Sequence, residues 1–444
     1  MTDRKNKKLS ETVDFVIETT KKYGASESSV TVSRDNTNRV VNRDGKWEQI
    51  SGSTTAGLTL KIYRNNKYAV HSTSDLNEAS LEKFIKDAVD LTGFLVKDPH
   101  RKLVDPSHYS GRISSIKSIY DAGYSSMTLE KRKALTVSAV EAATKKAGKN
   151  LISVNGTYGD NHTEFIMATS NGFSDSEKET GFYFYVDVSV KDRNGARPSD
   201  YEISTSHMIS GLESPEKVGT EAALRALRAC GAQKIKSGKY NIVVENRKVS
   251  SLLRGFLSPL YGSSVYNKTS CFEKSVNTKI ASNLFSIIDS PHLPGGFGSR
   301  RFDSEGITTK KRDIVSSGVL KSFFFDSYYA SKLGVPVTSG SKTNLVISPG
   351  KRSSSEIISS QDKVIFVTGF IGGNSNSTTG DFSHGMRGLL YEKGKLISPV
   401  IELNISGNHT NFWNNVLETS SDVYRLSSIL SPAILFKDVT IAGI

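Results

Sequence analysis

Hydrolytic chemistry in this chain would have to start from its histidines. There are eight: His71, His100, His108, His162, His207, His292, His384 and His409. Zinc catalysis needs about three protein ligands on one side of the ion. A helix supplies two when histidines stand at i and i+4, with glutamate beside the first as base. None of the eight precedes Glu, and no two lie within seven residues of each other. Thiolates are equally scarce. Cys230 and Cys271 are the only cysteines and form no C-x-x-C, which excludes zinc ribbons, thioredoxin-type sites and a disulfide-stapled scaffold.

Two other constellations could carry chemistry. Asp381, Ser383 and His384 bring three triad residue types within four positions. Triads are normally assembled from separate loops, and no Gly-x-Ser-x-Gly elbow surrounds Ser383. A polar turn between strands is therefore expected, with an independent hydrolase built on these three residues as an alternative. The stretch Pro294-Gly-Gly-Phe-Gly-Ser-Arg-Arg301 offers backbone amides and guanidiniums to an anion. It lacks the Gly-Lys-Ser/Thr of a phosphate loop, and Arg301 occupies the third glycine position of Gly-x-Gly-x-x-Gly. A structural turn is the expectation there.

These residues need a scaffold. With 444 residues, the chain is long enough for two or three domains. A hydrophobic fraction of 36% and a charged fraction of 23% exclude disorder, collagen and coiled coil. No apolar run approaches a membrane span, and no hydrophobic segment follows the basic N-terminus, so a cytoplasmic address is expected. The 58 basic and 45 acidic residues leave a net charge of +13, which permits attraction to nucleic acid or an acidic partner. That charge is not concentrated on the motifs, because residues 381–444 carry six acidic and five basic side chains, a net of −1. Phe182–Tyr185 resembles a base-stacking platform only in composition, without interleaved Lys or Arg.

Apolar periodicity places a helix over Leu9–Tyr23, capped by Ser10 and stopped at Gly24. Alternation at Val30 and Val32, at Leu58, Leu60 and Ile62, and at Tyr68 and Val70 gives strands. Asp44-Gly45 and Asn65-Asn66 turn them into an antiparallel meander. A second helix is expected over Leu76–Thr92, with Asp75 as cap and Glu78 completing a capping box. Residues 97–125 look like a connection. A third helix covers Leu129–Ala147 and stops at Gly148. Strands follow at Ile152–Val154, Glu164–Ala168 and Phe182–Val190, with turns at Asn155-Gly156, Asn171-Gly172 and Asn194-Gly195. Ser214, Pro215 and Gly231 delimit a fourth helix. Beyond the strand Tyr240–Val244 and a helix over Val249–Tyr261, short strands alternate with Gly-, Ser- and Asn-rich turns, as at Val364–Phe370, Gly388–Tyr391 and Val400–Ile405. The expected class is α+β. An N-terminal domain of antiparallel sheet with packed helices (1–235, subdivided near 97–125) precedes a β-rich, sandwich- or barrel-like C-terminal domain (236–444).

Three longer stretches say more. The first is Leu293-Pro-Gly-Gly-Phe-Gly-Ser-Arg-Arg-Phe-Asp-Ser-Glu-Gly306, continuing through Gly318–Lys321, Asp326–Tyr328 and Lys332–Gly334. The second is Thr379-Gly-Asp-Phe-Ser-His-Gly-Met-Arg-Gly388, and the third runs from Glu392 to Val400 and on to Glu402 and Ser406–Asn408. With Ala442-Gly443, Arg43–Gly45, Gly57–Tyr63 and Ser72–Leu76, they resemble the PmbA/TldE branch of the TldD/PmbA family over essentially the whole chain. The resemblance implies a two-domain α+β protein. In that family TldD subunits carry His-Glu-x-x-x-His and a zinc-type metal, whereas TldE/PmbA subunits lack the motif and pair with TldD. The heterodimer cleaves unfolded or extended peptides in an enclosed chamber, with roles in peptide-antibiotic maturation and antitoxin degradation.

This sequence agrees with the non-catalytic branch. Residues 246–261, about where TldD carries its metal helix, contain no His, and Ser427–Ala433, near a further TldD ligand, contains no Cys. The resemblance therefore implies no catalytic residue and no metal or other cofactor in this chain, with a zinc-type metal in a TldD-like partner. Gly380, Asp381, Phe382, Ser383 and Gly385 are candidates for lining the peptide chamber. Gly295, Gly296, Gly298 and Arg300 are loop candidates. A homodimer in the partner's absence is the fallback, and no membrane association is expected. The alternative function is a basic, non-enzymatic binding or regulatory protein acting on nucleic acid or an acidic partner.

Overall fold

The structure, a computed structural model, describes residues 2–444. Its N-terminal part is a six-stranded antiparallel sheet. The strands are β1 (Glu27–Arg43), β2 (Lys46–Arg64), β3 (Lys67–Thr73), β4 (Leu151–Thr169), β5 (Ser174–Val190) and β6 (Ser199–Ser206), in spatial order β3-β2-β1-β4-β5-β6. Asp44 and Gly45, at φ 51° and 81°, make the β1–β2 turn, as a two-residue hairpin twisted with its strands requires. Val30 and Val32 stand opposite Leu60 and Leu58, and all four are fully buried.

That apolar face is covered by α1 (Thr2–Lys22) and α2 (Glu78–Thr92), through Leu9, Val13, Val16, Leu81 and Ile85. At the other end, α3 (Leu129–Ala147) and α4 (Pro215–Arg228) pack small residues, Ala139, Ala143, Ala222 and Ala226, against Tyr158, Phe184 and Val186. Small side chains let two helices lie close to a sheet without voids.

Several local expectations are corrected. α1 starts at Thr2, so Ser10 lies within the helix rather than capping it. α2 starts at Glu78 with Asn77 as its cap, while the carboxylate of Asp75, two residues before that cap, accepts the Asn77 N–H. No turn forms at Asn155-Gly156. Both residues lie inside β4, a single strand where two were expected. A side chain on Gly156 would bring a Cβ within 2.5 Å of Val140 Cγ2 on α3, so this glycine serves helix-on-sheet packing. The helix over Val249–Tyr261 is α5 only to Leu257. Pro259 lies in the 3-10 turn Ser258–Leu260 that follows.

The C-terminal part contains β7 (Gly238–Val244), β8 (Ile287–Asp289), β9 (Arg312–Ser316), β10 (Val319–Leu320), β11 (Leu345–Ile347), β12 (Lys363–Ser375), β13 (Asp381–Glu392), β14 (Lys395–Asn408), β15 (Val416–Thr419), β16 (Ile429–Leu430) and β17 (Ile434–Ala442). Five of them run in the order β14-β13-β12-β7-β17, and β17 pairs back onto β14 through Asn404–Ala442 and Ile405–Ile441. The result is a closed five-stranded barrel, which removes the edges an open sheet would expose. α5 (Val249–Leu257) shares a core with it, with Leu252, Leu253 and Phe256 among Met386, Ile405, Trp413 and Phe436. The fold is α+β with a barrel in its C-terminal region. No described helix is long and apolar enough to cross a membrane.

Candidate functional site

β13 enters the barrel with the two-residue alternation of a strand. Phe382 and Met386 are buried, while Asp381 and Ser383 are exposed on the other face. The Asp381 carboxylate accepts the Thr379 hydroxyl at 2.7 Å and Asn408 Nδ2 at 2.8 Å, and these bonds hold its pKa below the usual range. Ser383 Oγ donates to Asn404 Oδ1 at 3.0 Å. The Gly380 N–H donates to the Asn376 carbonyl, and Gly385 sits opposite Ile371 of β12. No Asp-His-Ser relay is assembled. Asp381 and Ser383 face away from His384, and each is bonded to an asparagine of β14.

The inner face carries an aromatic stack that the sequence did not advertise. Phe382 lies between His409, with centroids 4.6 Å apart, and His384, at 5.7 Å. Trp413 Nε1 donates to His409 Nδ1 at 3.2 Å. An indole N–H is donor only, so the neutral imidazole carries its proton on Nε2, which faces Ser375 Oγ at 3.4 Å. Burial, reinforced by the neighbouring His384, pushes the His409 pKa down from 6.5 to about 4. Burial also lowers that of His384.

α5 passes directly over this stack. A Cβ on Gly255 would lie 2.5 Å from Ser375 Oγ and closer still to His409 Nε2, so only glycine lets the helix backbone approach so far. The buried side chains of α5 are Val249, Leu252, Leu253, Phe256 and Leu257, none of them a metal donor. His409 has already committed Nδ1 to Trp413. Among the described residues, no group of three or more His, Cys, Asp or Glu is placed to hold a metal ion. The donor set at this helix does not fit a hydrolytic cation.

The N-terminal end of α5 is held by charge. Arg225 of α4 makes a two-pronged pair with Glu245, at 2.8 and 2.9 Å, just after β7. Arg387 of β13 reaches Asp200 of β6 at 3.3 Å. Arg247 pairs with Glu202 at 2.8 Å, and Lys248 Nζ donates to Tyr201 OH at 3.1 Å. This network ties β6 and α4 to the barrel. Nothing local in the sequence marks it, since every pair joins residues far apart in the chain.

The glycine-rich stretch is occupied by its own surroundings. Gly295 N–H donates to the Lys117 carbonyl, Gly296 N–H to Leu293, Gly298 N–H to Asn344 Oδ1, and Arg300 N–H to Pro291. The Arg300 guanidinium bonds the Lys342 carbonyl, and Arg301 clamps Asp175 and Glu177. These amides therefore build a turn, not an anion cradle. Residues Phe297–Ser304 roof a cleft of about 530 Å³ whose floor is the sheet face at Thr31, Ser33, Asp35, Phe165, Glu177 and Glu179. Further along the same stretch, Asp303 accepts the Glu305 and Ile307 N–H groups, and Glu305 accepts from the Ser327 backbone and hydroxyl. The charged residues of this motif thus hold loops in place.

Three family models align with this architecture: the PmbA/TldA metallopeptidase domain 1 over residues 29–92, the central domain over 123–229 and the C-terminal domain over 237–443. The chain belongs to the PmbA/TldD metallopeptidase family. Among PmbA/TldD relatives, the Escherichia coli O157:H7 metalloprotease PmbA is 26% identical over 94% of this chain and 92% of that protein. A Bacteroides thetaiotaomicron protein, described as a candidate modulator of DNA gyrase, is 35% identical across 98% of this chain and 99% of its own, with a TM-score of 0.95. TldE from Thermococcus kodakarensis shares the fold at a TM-score of 0.88 and 19% identity, covering 97% of this chain and 100% of that one. Within a PmbA/TldD chain, then, α5 carries Gly255 against His409 and no donor set, and Ser427–Ala433 contributes β16 and hydroxyls but no thiolate.

Proposed function

We propose that this chain is the PmbA/TldE-like, non-catalytic subunit of a heterodimeric metallopeptidase that cleaves unfolded or extended peptides in the cytoplasm. The observation that carries the reading is a metallopeptidase-family fold whose α5 holds Gly255 and a buried apolar face where a metal helix would need imidazoles. A TldD-like partner supplies the zinc-type metal, the base and the activated water. This chain contributes a chamber wall, with Asp381 and Ser383 on the exposed face of β13 orienting neighbouring loops through Asn404 and Asn408. Co-expression with a TldD homologue of the same genome tests this. A stable heterodimer with peptidase activity, from a subunit that retains no stoichiometric zinc alone, is the expected result. One tightly held zinc per isolated chain, or failure to co-purify, would refute it.

A second reading has one observation of its own. The net charge of +13 and the relative described as a candidate DNA gyrase modulator favour a basic regulator acting on nucleic acid or an acidic partner. Its mark would be DNA retardation that weakens steeply with salt.

A further inference from the structure

β2 is paired on only one side for half its length. Along β1 it is bonded from Lys46 to Tyr63, whereas β3 covers only Leu58–Arg64, ending with Thr73 opposite Leu58. No described strand pairs with the outer edge of residues 46–57, and every residue from Lys46 to Thr55 is exposed. In an antiparallel strand, alternate N–H and C=O groups point to each side, so this stretch presents a row of unpaired donors and acceptors to solvent.

Proteins normally guard such edges with lysine, proline, bulges or a covering segment. Here the guards are missing where they matter. Gln49-Ile-Ser-Gly-Ser-Thr-Thr-Ala-Gly57 contains no charge and no proline. The one irregularity, at Glu48 where Trp47 and Gln49 face consecutive residues of β1, lies at the hairpin end. The side chains flanking the edge are small: Ser51, Ser53 and Thr55 on one face, Gly52, Thr54 and Ala56 on the other.

We infer that residues 49–57 of β2 form a strand-addition site for an extended peptide, seated antiparallel to β2 on the line that β3 vacates beyond Thr73. The inference rests on the proposed role in peptide cleavage and deepens it by naming where this subunit holds the chain. Main-chain bonds would supply the affinity, and an edge without side-chain pockets reads no sequence. That chemistry suits an unfolded polypeptide of arbitrary composition. A lasting contact between two folded copies would need a broad apolar centre, whereas the exposed large apolar side chains here, Ile50 and the neighbouring Trp47, stand at the hairpin end and residues 51–55 are serine, threonine and glycine.

The test uses the full chain and a fluorescein-labelled peptide of about ten serine, threonine and valine residues, the length of a long strand, followed by anisotropy. Its analogue, N-methylated at alternate residues, keeps the side chains and loses the main-chain donors. The parent peptide should bind and the analogue should bind about tenfold more weakly or worse. A benzophenone on the parent should cross-link within residues 46–57. The double variant Ser51→Lys/Thr55→Lys should weaken binding similarly with an unchanged melting temperature. Should that variant not fold, the N-methyl comparison and the cross-link map decide alone. Equal binding of both peptides, cross-links elsewhere, or a wild-type dimer that the lysines dissociate would each overturn the inference. No binding by a subunit whose TldD complex still cleaves peptides would overturn the edge site and leave the subunit role standing. Edge binding by a chain that recruits no TldD partner would instead overturn the role.

Discussion

Phe382 and His409 lie face to face, ring centroids 4.6 Å apart, at the point where α5 crosses the barrel. The contact buries an imidazole completely and fixes its neutral form, because Trp413 donates to the one nitrogen that must stay unprotonated.

A pH dependence follows from this burial. The folded pKa of His409 is about 4 against an ordinary 6.5. Between these values the unfolded chain binds a proton that the folded chain refuses, so this contribution is complete above pH 6.5 and is lost as pH falls toward 4. The full effect is about 3 kcal/mol. Urea unfolding at about pH 7 and about pH 4.5 should show wild type losing more stability on acidification than His409→Gln, which keeps an acceptor for Trp413 but cannot titrate. Equal slopes for the two would show that His409 does not titrate in this way.

Gly255→Ala places a methyl group against His409 and Ser375. Overpacking of this kind costs about 1–3 kcal/mol. The urea midpoint should drop, and Trp413 fluorescence should change with the displaced imidazole. A variant as stable as wild type would mean that α5 shifts freely.

Glu245→Ala removes the two-pronged partner of Arg225 and leaves it the more distant Asp200, at 3.7 Å. Removing one partner of a buried ion pair costs about 3–5 kcal/mol. Glu245→Gln, which still accepts a bond, should lose less. Equilibrium unfolding that finds the two variants alike would show that a neutral acceptor recovers nothing and that the carboxylate charge carries the pair.

Asp381→Ala removes an exposed carboxylate and its bonds to Thr379 and Asn408. Stability should be nearly unchanged, as for most exposed side chains. In the proposed complex with a TldD homologue, peptidase activity should fall with metal content unchanged. Full activity would return Asp381 to shaping the turn.

Much of the fold was legible, for physical reasons. Gly148 stops α3 where the sequence places its end, and the alternation at Val30, Val32, Leu58 and Leu60 marks a half-buried sheet. Errors came where tertiary packing overrode local chemistry. Asn155-Gly156 has turn composition, but Val140 needs the space, so the glycine stays in a strand. Asp75 and Asn77 can both cap α2, and only the folded backbone decides between them. The long motifs were legible as a family pattern but not as roles. Asp303 and Glu305 hold loops, and Gly295, Gly296 and Gly298 have their amides satisfied within the fold. The stack at Phe382 had one faint signal, His409 and Trp413 four residues apart after the helix-capping Asn408. The Arg225–Glu245 pair had none.

The barrel closes through β17, which joins β7 on one side and β14 on the other. In chain order β17 follows every strand it binds. During synthesis, the six-stranded sheet over residues 27–206 has all its strands long before the barrel can shut. Until then β7 and β14 stay open-sided, and nascent chains are most exposed to mispairing in that interval. A slow codon or a truncation ahead of Ile434 would therefore yield a finished N-terminal sheet attached to an unsealed, sticky half.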